Sequence, residues 1–205
     1  MRNKSYILLL LVMFAALGEV AAQDMRSLFV NAPDTIFPLL TRTNREDCVD
    51  FLDAKMRARV SNRLDGKSEL VVLTRSFLEL QSSGSSTVQM KLLPFGGDSI
   101  ISVVRTVCAE ACSSRINFYK RDWSSVDISF VRPAVEDFFV SADSIDEALS
   151  FCDIYLVKLS LSSTDNTLVA EYTMPLYMNE EDAAFVSRRL SPILYRWNGS
   201  AFVKE

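Results

Sequence analysis

Apolar positions recur along this chain in three rhythms, and each rhythm predicts a different element. Residues 6–17 (YILLLLVMFAAL) are apolar on every face. Later, apolar residues return at helical spacing, and between those stretches they alternate with polar ones. Residues 24–31 predict two helical turns, and Pro33 and Pro38 interrupt anything longer. Thr43-Asn44-Arg45-Glu46 matches a capping box and opens a predicted helix over 45–59. Cys48, Val49, Leu52 and Met56, with Phe51, make its apolar stripe, and Asp47, Asp50, Lys55 and Arg57 its polar face.

Period two follows. Residues 70–80 predict one or two strands broken near Thr74, and residues 87–93 alternate Val88, Met90, Leu92 against Thr87, Gln89, Lys91. Residues 99–107 are rich in β-branched side chains, and 115–119 put Ile116 and Phe118 on one side. Gly84 and the Gly96-Gly97 pair mark turns. Residues 130–140 fit neither period and predict a loop. Ser144-Ile145-Asp146-Glu147 predicts a second capping box, with Ile145, Ala148, Leu149 and Cys152 facing inward. Alternation resumes over 155–161 and 168–174. Asn179 then caps a helix whose first turn holds Glu180, Glu181 and Asp182. Asn198-Gly199 predicts a type I′ turn closing a last hairpin. The expected fold class is α+β: an antiparallel meander carrying about three amphipathic helices, with two loosely repeated halves conceivable.

The all-apolar run has a second consequence. Arg2 and Lys4 precede it, and Val20-Ala21-Ala22 follows it with small or short side chains. This is the layout of a secretory leader cleaved after Ala22, leaving residues 23–205 as a single domain. A dozen apolar residues fall short of the roughly 20 that span a bilayer, so no transmembrane anchor is expected in the mature chain. Removing Arg2, Lys4 and Glu19 leaves 20 basic and 25 acidic residues, net −5. That mild acidity offers no basic stripe for nucleic acid.

Histidine is absent from the sequence. Ser-His-Asp and Cys-His catalysis and histidine-bearing zinc sites are therefore excluded within this chain. No glycine spacing forms a phosphate-cradling loop, so no cofactor is expected. The four cysteines, Cys48, Cys108, Cys112 and Cys152, are disulfide candidates in an oxidising compartment. Cys108 and Cys112 suit a small bridged loop. Cys48 and Cys152 either pair with each other or remain buried thiols.

Chemistry without histidine would lean on carboxylates. Glu136 and Asp137, beside Phe138 and Phe139, are the candidate ligand-binding residues, since the rings could stack on a sugar between two acids; the plainer reading is an exposed acidic loop with its aromatics tucked inward. Glu180, Glu181 and Asp182 read as helix-start electrostatics. Asp47, Asp50 and Asp53 have helical spacing, and Asp143, Asp146 and Glu147 lack the alternate spacing of a calcium loop. Tyr195, Trp197 and Phe202, like Phe118, Tyr119 and Trp123, read as packing aromatics, with a sugar-stacking platform as the sharper alternative.

Several stretches resemble a secreted Bacteroidales family of unknown function. They are Leu28-Phe29-Val30-Asn31-Ala32-Pro33-Asp34, Leu39-Leu40-Thr41 and Asp47-Cys48-Val49-Asp50-Phe51-Leu52-Asp53 near the start. Gln89-Met90-Lys91-Leu92-Leu93-Pro94 and Cys108-Ala109-Glu110-Ala111-Cys112, with Phe118-Tyr119 and Trp123, extend the resemblance through the middle. It implies export from a Gram-negative cell, to the periplasm or the outer membrane, and carries over no catalytic residue. The function expected is a non-catalytic binding or interaction module for a protein, glycan or lipid. The alternatives are a carboxylate-dependent glycan hydrolase or a structural subunit of an envelope assembly.

Overall fold

The computed structural model describes residues 24–140 and 144–205. The leader (residues 1–22) and Asp143 lie outside the described residues. The chain begins with helix α1 (Met25–Val30), an irregular stretch over 31–41, and helix α2 (Arg42–Asp53). Seven strands follow in one antiparallel sheet, each paired with its sequence neighbour. They are β1 (Arg59–Ser61), β2 (Lys67–Leu73), β3 (Phe77–Ser83), β4 (Ser86–Phe95), β5 (Asp98–Cys108), β6 (Cys112–Tyr119) and β7 (Ser125–Val126). After a loop with one 3-10 turn (Glu136–Phe138) come helix α3 (Ile145–Ser150) and strands β8 (Val157–Leu161) and β9 (Thr167–Tyr172). A second 3-10 turn (Met174–Tyr177), helix α4 (Glu180–Ser187), β10 (Ile193–Trp197) and β11 (Phe202–Lys204) complete the chain. Strands β8 to β11 form a separate antiparallel sheet in the order β11-β10-β9-β8. The expected class, antiparallel β with helices, holds.

Two cores explain the layout. On one face of the large sheet, Met25, Leu28 and Phe29 of α1 and Cys48 and Val49 of α2 pack on Leu70, Leu78, Leu80, Met90, Ile101 and Val103. On the opposite face, Leu93, Ile100, Val104 and Phe118 pack on Leu159, Leu161, Leu168, Tyr195, Trp197 and Phe202 of the small sheet. The centre of β5, Ile100 to Val104, is therefore buried on both sides. A bulge between Leu70 and Val72 shifts the β2–β3 register, so that Val72 joins the second core while Leu70 stays in the first.

Local chemistry corrects several sequence expectations. Helix α2 starts at Arg42, because Thr41 is the cap: its hydroxyl accepts from the Asn44 N–H at 3.1 Å, and the Thr41 N–H donates to Asn44 Oδ1 at 3.0 Å. Asn44 thus fills the role expected of Glu46. The helix ends at Asp53, before Lys55 at φ 57°, which leaves Met56 outside it and 58% exposed. Ser144 has φ 57° and makes no side-chain cap, so the second capping box does not form. Asn179 does cap α4, accepting from the Asp182 N–H at 3.0 Å. The last hairpin turns through four residues rather than two. Only Gly199 has positive φ there, and Asn198 Oδ1 accepts from the Ser200 and Ala201 N–H groups, which an Asn in a type I′ turn would not do.

The sheet edges are short or covered. Strands β1 and β11 have three residues each, and β7 has two. Strand β8 crosses the face of β4 to β6, and its outward N–H groups are met by side chains: Leu159 donates to Ser114 Oγ and Leu161 to Gln89 Oε1, each at 2.9 Å.

Candidate functional site

The loop singled out from sequence is held on both sides. Phe138 is 1% exposed and stacks on Tyr172 with ring centroids 5.8 Å apart. Phe139 pairs through its backbone with Leu190. Asp137 accepts from the Ala134 N–H at 2.8 Å and from Lys204 at 3.3 Å, and these contacts hold its carboxyl below the ordinary range. Glu136 is exposed beside them. The two acids adjoin in sequence, but the neighbouring Phe138 ring faces the core and is not open for stacking. Tyr195, Trp197 and Phe202 are also buried, at 5%, 6% and 7% exposure, and they build the second core instead of a platform.

The cysteines divide cleanly. Cys108 and Cys112 form a disulfide across the β5–β6 hairpin, where they are direct register partners. Cys48 and Cys152 are free and sit in different cores, so the alternative in which they pair does not occur. Burial pushes the Cys48 thiol up to about 11 and raises that of Cys152. Neither is an activated nucleophile. Asp53, which shares helical spacing with Asp47 and Asp50, is held by both terminal nitrogens of Arg26, at 2.5 and 2.6 Å.

Two concave regions stand out among the described residues. The first is a polar groove of about 400 Å³ between the β3–β4 hairpin and β8, with the disulfide on its wall. Its polar side chains largely satisfy one another. Gln89 donates to Glu79 at 2.9 Å, Thr87 to Gln81 at 3.3 Å, and Lys158 pairs with Glu171 at 3.7 Å.

The second is an apolar cleft of about 140 Å³ between residues 36–40 and strands β3 to β5. Ile36, Phe37 and Leu40 form one wall and Leu80 and Val88 the other, with Arg105 and exposed Val107 on its lining. The sequence reading missed this site, because the first wall is an irregular stretch with no period. A buried arginine positions that stretch. Arg45, 1% exposed, donates to Leu40 O at 2.9 Å, Ala32 O at 2.6 Å and Val30 O at 3.3 Å. These carbonyls belong to the end of α1 and the irregular chain after it, where no ladder supplies donors. Asp34 accepts from both Arg45 at 3.2 Å and Arg63 at 2.5 Å, and its carboxyl is lowered chiefly by the Arg63 bond and then by that of Arg45.

Arg105 donates to Ile36 O at 3.2 Å. Its direct cross-strand partner on β6 is Arg115. Opposed residues of an antiparallel pair share a face, and like charges so placed repel. Among the described residues neither arginine has a carboxylate partner.

The architecture is thus a two-sheet antiparallel α+β fold with an apolar cleft under its N-terminal segment. A family model described as a protein of unknown function, DUF3256, matches residues 17–202, and the chain belongs to that family. Among solved structures it is similar to a domain of an uncharacterized protein from Porphyromonas gingivalis W83. The two share 26% identity with a TM-score of 0.75, over 90% of this chain and 98% of that one. Comparison with curated proteins gives no match.

Proposed function

We propose that this protein is an exported, non-catalytic binding module of a Gram-negative envelope, with the apolar cleft as its binding site. One observation carries the reading: a pre-formed hollow lined by Ile36, Phe37, Leu40, Leu80 and Val88 opens at exposed Val107. Concave apolar sites with a few polar groups are the usual form of ligand pockets. A volume near 150 Å³ accepts one benzene-sized group. The leader pattern at residues 1–22 supports export. A glycan hydrolase needs two carboxylates across one cleft. This cleft is lined by none, and the polar groove by Glu79 alone.

The test is an NMR titration with two small aryl probes, 3-phenylpropanoate and 3-phenylpropanamide. At least one should move the amide signals of Leu80, Val88 and Val107, and Val88→Phe, which fills the hollow, should abolish the shifts. A circular dichroism melt checks that the variant folds, and Ser86→Phe on the same wall serves if it does not. The reading is wrong if neither probe moves those signals.

A further inference from the structure

The cleft's charge environment defines the chemistry of its occupant, an inference that rests on the binding reading above. The Cys108–Cys112 bridge closes the β5–β6 hairpin at opposed positions, and the register continues from there through Val107–Ser113 and Thr106–Ser114 to Arg105–Arg115. Opposed Cα atoms in such a ladder lie roughly 4.5 to 5.5 Å apart. Two guanidinium groups are therefore held on one face, on a hairpin that a covalent bridge keeps in register.

Elsewhere the described arginines mostly have acids. Arg26 has Asp53, Arg42 has Glu46, Arg57 and Arg59 share Glu69, Arg63 has Asp34, and Arg196 has Glu205. Arg105 meets only a backbone carbonyl, and Arg115 is exposed with no recorded partner among the described residues. The surrounding side chains of that face, Val88 and Val107 on the lining and Ser113 and Asn117 beside Arg115, carry no negative charge. A like-charge pair without a counter-charge is a cost that a bound anion removes.

We infer that the cleft takes a small amphiphilic carboxylate. Its apolar group, about the size of one phenyl ring, sits against Leu40, Leu80 and Val88, and its carboxylate is bound between Arg105 and Arg115. The two features select together. The apolar lining disfavours a bare inorganic anion, because burying its charge there would lack compensation. The arginine pair favours an anion over its neutral isostere, because charge-assisted hydrogen bonds are roughly twice as strong as neutral ones.

Isothermal titration of the purified protein with 3-phenylpropanoate, 3-phenylpropanamide and inorganic phosphate tests this. The carboxylate should bind about tenfold more tightly than the amide, and phosphate should not compete with it. Arg115→Gln should remove most of that preference while leaving amide binding unchanged, and Arg105→Gln, which also loses the bond to Ile36 O, should weaken carboxylate binding more than amide binding. Arg115 is exposed, so its variant tests charge with the least risk to folding. Equal affinity for carboxylate and amide overturns the inference while leaving the cleft a binding site. Competition by phosphate alone overturns it as well, since the apolar group would then be irrelevant. Binding of neither aryl compound overturns the cleft reading itself.

Discussion

The two faces of the large sheet are covered by different means. Over the second core lies another sheet, in which β8 and β10 alternate strictly and the rings interlock: Trp197 packs against Phe202 and Phe118, with centroids 5.3 and 5.8 Å apart. Its polar contacts to the large sheet are few and well placed, including the Trp197 Nε1 bond to Pro94 O at 2.7 Å. Over the first core lie two short helices and an irregular stretch fastened by a single buried arginine. Regular covering leaves only a polar groove at its margin, between the β3–β4 hairpin and β8. Irregular covering leaves a hollow, and the concave apolar site lies on that side.

Breaking the arginine fastening should have the largest effect. Arg45→Met keeps the bulk and removes the donors, leaving the carbonyls of Val30, Ala32 and Leu40 without their partner. Each buried group left unsatisfied costs about 1–3 kcal/mol, so a loss of about 3 kcal/mol or more is expected in urea unfolding. Hydrogen exchange should speed up over residues 28–49 and leave β9 and β10 unchanged. Uniform acceleration would show that the two faces are one cooperative unit. Trp197→Phe, on the other face, should cost less. It removes one hydrogen bond and part of a ring while leaving the apolar packing, about 1–2 kcal/mol by the same measurement. A loss as large as that of Arg45→Met would erase the contrast between the faces.

Acid should have the smallest effect. Asp34, Asp53 and Glu69, all beside the helical cover, have carboxyls lowered first by hydrogen bonds from Arg63, Arg26 and Arg57. A carboxyl lowered in the folded state contributes stability above its unfolded pKa, roughly 4, and loses it as pH falls through the folded value. These pairs are exposed, so each loss is small and screened by salt. Asp137 and Asp165, on the small-sheet side, are lowered as well, by bonds from Ala134 and Thr167, so thermal melts should decline only below about pH 4, with both faces loosening. A flat profile down to pH 2 would remove these pairs from the account.

Much of the fold was legible because burial imposes a period. The break at Thr74, the alternation from Thr87 to Leu93 and the run from Val157 to Leu161 stand where the pattern placed them. What escaped depends on contacts far apart in sequence. Arg45 read as one polar position in a capping box, since nothing local tells that carbonyls 5 to 15 residues upstream converge on it. The split into two sheets also left no local trace, because β8 meets β6 only through tertiary packing. The arginine pair was within reach. Once Cys108 and Cys112 are read as a bridged hairpin, opposed positions follow by counting back, and Arg105 meets Arg115. Phe138 turns inward from a single 3-10 turn, too short for its orientation to show as a period.

The treatment of the sheet margins has a consequence at high protein concentration. A strand with amides engaged by Gln89 and Ser114, and outer strands only two or three residues long, offer a neighbouring chain little backbone ladder to extend at those margins. Edge-to-edge pairing between copies is thereby disfavoured at these strands.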